Sequence, residues 1–191
     1  MLDQILHLDT ELFLYLNNLG SSTWDKLWLI ITNKLTFIPF YGVLLYLLYK
    51  KYGMKSLLIF VVVIALMITF TDQITNAFKL GFKRPRPCGA EGVMDQMRFI
   101  AVRCGRYGFF SGHSSNSMAV AVFAGLLLRP YFRNLIFFLL FWSSTVAYSR
   151  IYVGVHYPLD IVCGLAFGAI SGFIFFKISR YLLSKYTSQY Y

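Results

Sequence analysis

Two histidines of this chain stand in segments whose residue types could move a phosphoryl group. His156 lies four residues before Asp160, with Pro158 between them. Proline suits the first turn of a helix, and an i, i+4 spacing lets the carboxylate face the imidazole and receive its ring N–H. Such a bond sets the tautomer and orientation of the ring. His113 follows Ser111 and Gly112, a turn that opens a helix. Unpaired N–H groups and the positive end of the helix dipole make that turn an anion site, and Gly112 lets the backbone approach closely. Displacement at phosphorus needs a neutral attacker and a protonated acid for the leaving oxygen. His156, oriented by Asp160, is the better nucleophile. His113, with no evident carboxylate partner, is the better acid.

Cations complete the set. The stretch KLGFKRPRP carries Lys79, Lys83, Arg84 and Arg86, and Arg150 precedes His156 by six residues. Three or more cations neutralise a dianionic phosphoryl group, and arginine offers paired N–H donors to two of its oxygens. The basic stretch alone reads as attraction to anionic headgroups. Beside the histidine segments, that role falls to Lys83 and Arg84. Asp72 stands two helical turns before Lys79, where it could support that lysine; a carboxylate capped at the membrane interface accounts for it equally well.

These residues span about eighty positions, so the elements must bring them together. A composition of 58% hydrophobic and 14% charged residues over 191 positions excludes an ordinary soluble domain and points to a membrane. The apolar runs predict an all-α integral membrane protein with five transmembrane helices, near 35–49, 53–78, 113–128, 134–148 and 158–176, a sixth crossing being left open. Ile5, Leu6, Leu8, Leu12, Phe13 and Leu16 form a helical stripe, which predicts an N-terminal interfacial helix ended at Gly20-Ser21-Ser22. A short helix over 24–32 then leads into the first span. The whole of 1–191 reads as one domain, with 1–32 as its approach and 79–112 as its outer active-site loop. Asp3 and Glu11 argue against a cleavable signal peptide.

Eight Lys and Arg residues lie in 50–55, in 129–133 and after 176, all on one face, which the positive-inside rule makes cytoplasmic. The 79–112 loop holds seven of the eighteen Lys and Arg and falls on the outer face. Because the third and fourth spans form a hairpin, the segments around His113 and His156 emerge on that face too. The convergence of Lys79, Arg86, His113, Arg150, His156 and Asp160 in one water-facing cavity is the central expectation.

Three ordered motifs carry these residues: K-x6-R-P from Lys79 to Pro87, S-G-H from Ser111 to His113, and S-R-x5-H-x3-D from Ser149 to Asp160. In this the chain resembles the type 2 phosphatidic acid phosphatase superfamily, which includes the vanadium haloperoxidases and glucose-6-phosphatases. The resemblance covers nearly all of the chain after about residue 50. It implies that Lys79, Arg86 and Arg150 bind phosphate, helped by the Ser111 hydroxyl and Gly112 backbone. It further implies that His113 protonates the leaving group and that His156 becomes a phosphohistidine oriented by Asp160. Ser149 enters only as a supporting position of the third motif. No metal or other cofactor is expected, since fixed cations neutralise the charge. The chain departs from the family at Phe110, where a proline usually precedes S-G-H.

The reading is a lipid phosphate or diphosphate phosphatase in the inner membrane, its site facing the periplasm. Undecaprenyl diphosphate, phosphatidylglycerol phosphate, phosphatidic acid and lipid A phosphates all suit it. The bilayer and the lipid substrate are its partners; a nucleic acid is not expected, and nothing sets the oligomeric state. A phosphotransferase using the same intermediate and a non-catalytic anion-binding protein or transporter are the competing readings. Cys88 and Cys104 both fall in the outer loop and could close a disulfide in an oxidising periplasm. Gly164, Gly168 and Gly172 repeat every four residues, a small-xxx-small stripe for close helix packing.

Overall fold

The computed structural model describes residues 1–187, and among these the chain forms six α-helices, two 3₁₀ turns and no strand. The helices are α1 (Leu2–Asn18), α2 (Ser22–Thr32), α3 (Ile38–Phe82), α4 (Gly112–Leu128), α5 (Leu135–Tyr152) and α6 (Pro158–Tyr186). A 3₁₀ turn, Lys34–Phe37, joins α2 to α3. Three segments are long and apolar enough to cross a membrane: Lys34–Phe82, Leu135–Tyr152 and Pro158–Tyr186. The first of them holds two of the five expected spans. There α3 runs on through the basic connection and bends at Gly53, whose φ of 77° and ψ of 173° suit a residue without a β-carbon.

α4 is the centre of the bundle. Ala119, Ala121 and Phe123 are fully buried in it, and the core there is shared with Leu48 and Phe60 of α3 and Leu139 of α5. The glycine stripe of α6 lies along α4 as its spacing predicts. A β-carbon on Gly164 would stand 2.7 Å from the Ser111 carbonyl, and one on Gly172 would stand 2.5 Å from that of Ala119. Apolar burial between helices gains little when the surroundings are themselves apolar, so close backbone approach of this kind is what holds such helices together. It also sets the depth at which the first turns of α4 and α6 meet.

The terminal helix α1 packs differently from its apolar pattern. Ile5, Leu8 and Leu12 are exposed, and the face turned to the protein is Asp9, Phe13 and Asn17. This inversion suits a helix whose outer solvent is lipid. Asn17 Nδ2 donates to the carbonyls of Arg98, Ile151 and Tyr152, and its Oδ1 accepts from Arg98 N at 2.7 Å. Phe13 meets the Tyr157 ring edge-on at 5.4 Å. An element expected merely to rest at the interface is therefore docked against the segment that carries His156.

Candidate active site

The third motif runs from the end of α5 into α6. Arg150 lies in the last turn of α5, the chain reverses at Gly154 with φ of 85°, and Pro158 opens α6. Asp160, in the first turn of α6, accepts the Tyr157 N–H on Oδ2 at 3.1 Å. The same oxygen lies 3.2 Å from His156 Nδ1, with the imidazole 2% and the carboxylate 0% exposed. With Nδ1 engaged, Nε2 is the nitrogen left to act as nucleophile. Burial, first, and then the charges of Arg86, Arg150 and Lys79 hold the His156 pKa well below its ordinary 6.5, against a weaker opposing hydrogen bond from the Gly108 backbone. The ring is neutral at physiological pH, as an attacker must be.

The second motif is tied to the third through the main chain. Ser111 caps α4, and its own N–H donates to the Asp160 carbonyl at 3.0 Å. Its hydroxyl oxygen accepts from Ser114 N at 3.4 Å and from Ser114 Oγ at 3.0 Å. Phe110, in place of the family's proline, is buried and packs against Phe78 of α3 and Phe167 of α6, at 5.1 and 5.2 Å between centroids. Aromatic contacts thus hold the turn that ring constraint would otherwise stiffen.

The first motif closes over both. Lys79 comes so near the S-G-H turn that a β-carbon on Gly112 would stand 3.7 Å from its Nζ. Lys83, at φ of 50°, caps α3 in the left-handed conformation and turns the chain outward. The strand-like pieces around Pro85 and Tyr107 then pair antiparallel, with Gly108 N donating to Arg84 O at 2.9 Å. Arg86 Nε donates to the Tyr107 carbonyl at 3.0 Å. Cys88 and Cys104 bridge the same two pieces, with Sγ atoms 2.00 Å apart. Gly108 is the meeting point: a β-carbon there would stand 2.9 Å from Asp160 Oδ2, 3.4 Å from Arg86 Cγ and 3.7 Å from His156 Nδ1.

The three motif segments therefore meet around Ser111 and Gly108, but the water-facing cavity expected to hold all six residues is lined by His113 alone of them. Asp72 accepts from Asn116 Nδ2 at 2.8 Å and makes no ion pair with Lys79 among the described residues, though its carboxylate charge acts favourably on the Lys79 ammonium. Ser149, next to Arg150, donates to the Val146 carbonyl at 2.6 Å and is wholly buried within α5. Arg84 is not a headgroup-facing flank. Its side chain is 15% exposed, and it pairs with Asp160 Oδ1 at 3.0 Å and with Asp9 Oδ2 at 2.6 Å. Motif spacing singles out Arg86 and is silent on Arg84, while Asp9 lies some seventy residues away in a helix read for its apolar face. Thr32, Gly108 and Asn116 were likewise unmarked: none belongs to a motif, and each is placed by the fold.

Arg150 donates from Nη1 to Thr32 Oγ1, and its buried Nε–H has no hydrogen-bond partner among the described residues. A phosphate oxygen is a fitting acceptor for such a donor. The donor set of Lys79, Arg86, Arg150 and the α4 N-terminus suits an anion rather than a metal cation. Beside His113 a cavity of about 350 Å³ opens. Its end beside His113 is polar, with Thr32, Lys34, Asp72 and Asn116, and its other end along α3 and α4 is apolar, with Leu48, Ile68, Val120 and Phe123. It borders His113 and none of His156, Asp160 or Arg86.

The family model described as the PAP2 superfamily matches residues 56–184. A lipid A 4'-phosphatase of Bacteroides thetaiotaomicron is 36% identical, the match covering 98% of this chain and 84% of that protein. A lipid A 4'-phosphatase of Porphyromonas gingivalis is 33% identical, over 97% of this chain and 78% of that protein. Among solved structures, the PAP2-type phosphatidylglycerolphosphate phosphatase of Bacillus subtilis superposes with a TM-score of 0.72. That match covers 98% of this chain and 90% of the other at 16% identity, so it speaks for the fold alone.

Proposed function

The chain belongs to the PAP2 superfamily, and from that premise we propose that it is a lipid phosphatase whose substrate is a lipid A phosphate, cleaved through a phosphohistidine at His156. Lys79, Arg86 and Arg150 hold the phosphoryl oxygens with the Gly112 backbone. His156 Nε2 attacks phosphorus, the N–P bond forms as the P–O bond breaks, and His113 gives its proton to the leaving alkoxide. His113 then takes a proton from water, whose oxygen attacks phosphorus as the N–P bond breaks, and phosphate leaves. The observation that carries this reading is the joining of three distant segments at one point: Ser111 N on the Asp160 carbonyl, Lys79 against Gly112, and Arg86 with His156 around Gly108.

The substrate class rests on the two relatives named lipid A 4'-phosphatases, each similar across nearly the whole chain. The cavity beside His113 supports it, since the alcohol part of the substrate must lie on the acid's side. A cavity polar at the end beside His113 and apolar beyond it suits an amphiphile. We place the two arms of α3 and the helices α4, α5 and α6 across the inner membrane as five crossings, with the site toward the periplasm.

Phosphate release by purified protein over a panel of lipid A, undecaprenyl diphosphate, phosphatidylglycerol phosphate and phosphatidic acid tests the reading. Release should be fastest from lipid A, survive EDTA, be blocked by vanadate and disappear in His156→Ala and Asp160→Asn. A folded His156→Ala that works at the wild-type rate would sink the mechanism. Release that requires an added alcohol acceptor would mean transfer instead of hydrolysis.

A further inference from the structure

Asp160 has two carboxylate oxygens, and both are engaged. Oδ2 serves His156 Nδ1 and Tyr157 N; Oδ1 receives Arg84 Nη1. The other end of the same guanidinium reaches Asp9 Oδ2 on α1, and its face lies 4.1 Å over the Tyr157 ring. Asp9 Oδ1 accepts the Leu159 N–H at 2.8 Å, one of the first-turn donors of α6. A chain of bonds thus runs His156, Asp160, Arg84, Asp9, and returns to α6 at Leu159. Asp9 lies outside residues 56–184, where the family model matches.

We propose that Arg84 and Asp9 are positioning residues for the nucleophile, so that the N-terminal helix is part of the catalytic apparatus. The inference rests on the reading of His156 as the attacking group. The planar fork of Arg84 presents a separate nitrogen to each carboxylate, Nη1 to Asp160 and Nη2 to Asp9, a span wider than one ammonium nitrogen offers. Arg84 so prevents rotation of the Asp160 carboxylate, which would carry Oδ2 away from the imidazole. Asp9 in turn fixes the guanidinium, which would otherwise be free to swing toward solvent.

The charge count suits the reaction as well. Two carboxylates and one guanidinium give the group a net charge of minus one while His156 is neutral. When Nε2 bonds to phosphorus, the ring keeps its Nδ1 proton and takes on positive charge, which the Asp160 carboxylate at Nδ1 stabilises while the substrate phosphate answers Lys79, Arg86 and Arg150. Docking of α1 does not depend on this link, because Asn17 and Phe13 anchor the helix separately. Asp9→Asn therefore reports on positioning more than on docking.

The test compares wild type with Asp9→Asn, Arg84→Lys, Arg84→Ala and the double variant Asp9→Asn/Arg84→Lys, by turnover of lipid A, inhibition by inorganic phosphate and thermal midpoint. Lysine keeps the charge but loses the two-nitrogen fork that meets the carboxylates from separate atoms. We expect kcat to fall roughly 100-fold in Arg84→Lys and about 10-fold in Asp9→Asn. KM and phosphate inhibition should stay near wild type, since Lys79, Arg86 and Arg150 are untouched. The double variant should lose little more than Arg84→Lys alone.

A reading free of turnover is the His156 Nδ1–H resonance of histidine-labelled protein, which should move in every one of these variants. Wild-type kcat in folded Asp9→Asn and Arg84→Lys would overturn the proposal, as would losses confined to KM and abolished by salt. An unmoved Nδ1–H resonance would overturn it too. Should Arg84→Ala fail to fold, the two conservative variants decide. A wild type inert toward every lipid phosphate, or an active His156→Ala, would instead count against the proposed function.

Discussion

His156 is 2% exposed and held at Nδ1 by Asp160, which Arg84 and Asp9 support in turn, while Gly108 closes over the same edge. His113 is half-buried and borders a cavity of about 350 Å³ whose walls come from α2, both arms of α3, α4 and α5. One half of the site is specified bond by bond, and the other is a space. The phosphoryl group is common to all lipid phosphates, and the half that must attack it can be rigid. The alcohol part differs from lipid to lipid, and the half that receives it is shaped by apolar packing, which tolerates variation that buried ion pairs do not.

The comparison breaks most sharply on the leaving group. Removing His113 takes away the proton for the departing oxygen, so His113→Ala should slow release from a lipid phosphate by roughly 1,000-fold. An aryl phosphate such as p-nitrophenyl phosphate needs no such proton. With it His113→Ala should give a burst of p-nitrophenol followed by slow turnover, because the second step still lacks its base. His156→Ala should show no burst with either substrate. No burst with the aryl phosphate in His113→Ala would mean that the two histidines do not divide the work as proposed.

Gly108 tests the rigid half. A β-carbon there would come within 2.9 Å of Asp160 Oδ2, a contact that the carboxylate can relieve only by leaving its bonds to Arg84, His156 and Tyr157. Gly108→Ala should therefore cost roughly 100-fold in kcat, equally for alkyl and aryl phosphates. Gly81→Ala, with nothing within 4 Å of its β-carbon, is the matching control. A Gly108→Ala enzyme with normal kcat would show that the half described as rigid can yield.

What could be read from the chain divides along the same line. The motif residues, the helix openings at Gly112 and Pro158 and the α6 glycine stripe were all legible, because each depends on local spacing or on the special conformations of glycine and proline. Asp9 and Arg84 were not, since their meaning lies in a contact across 75 residues that no periodicity records. Arg84 was even assigned to the headgroups, because proximity in a basic cluster carries no information about which side chain turns inward. Asp72 was legible only in part: its spacing from Lys79 lets its charge act on that lysine, but the bond from Asn116, on another helix, is recorded by no periodicity. The cavity was out of reach altogether, as Leu48, Val120 and Phe123 are ordinary apolar residues until four helices leave a gap between them.

That gap supplies the gentlest test. Val120 lines it from α4, two turns below His113, and Val120→Phe would fill part of its apolar end without touching a charged group. A hydrophobic pocket changes affinity by modest factors when its volume changes, so KM for a long-chain lipid phosphate should rise about 10-fold while kcat holds. A short-chain or water-soluble phosphate, which leaves that end unused, should be indifferent to the change. Val162→Phe, on the exposed face of α6, should alter neither. If Val120→Phe raised KM equally for long and short chains, the cavity would not be where the lipid lies, and the open half of the site would need another occupant. If it lowered kcat instead, strain would be passing from the cavity wall to His113, and the two halves would be less independent than their surroundings suggest.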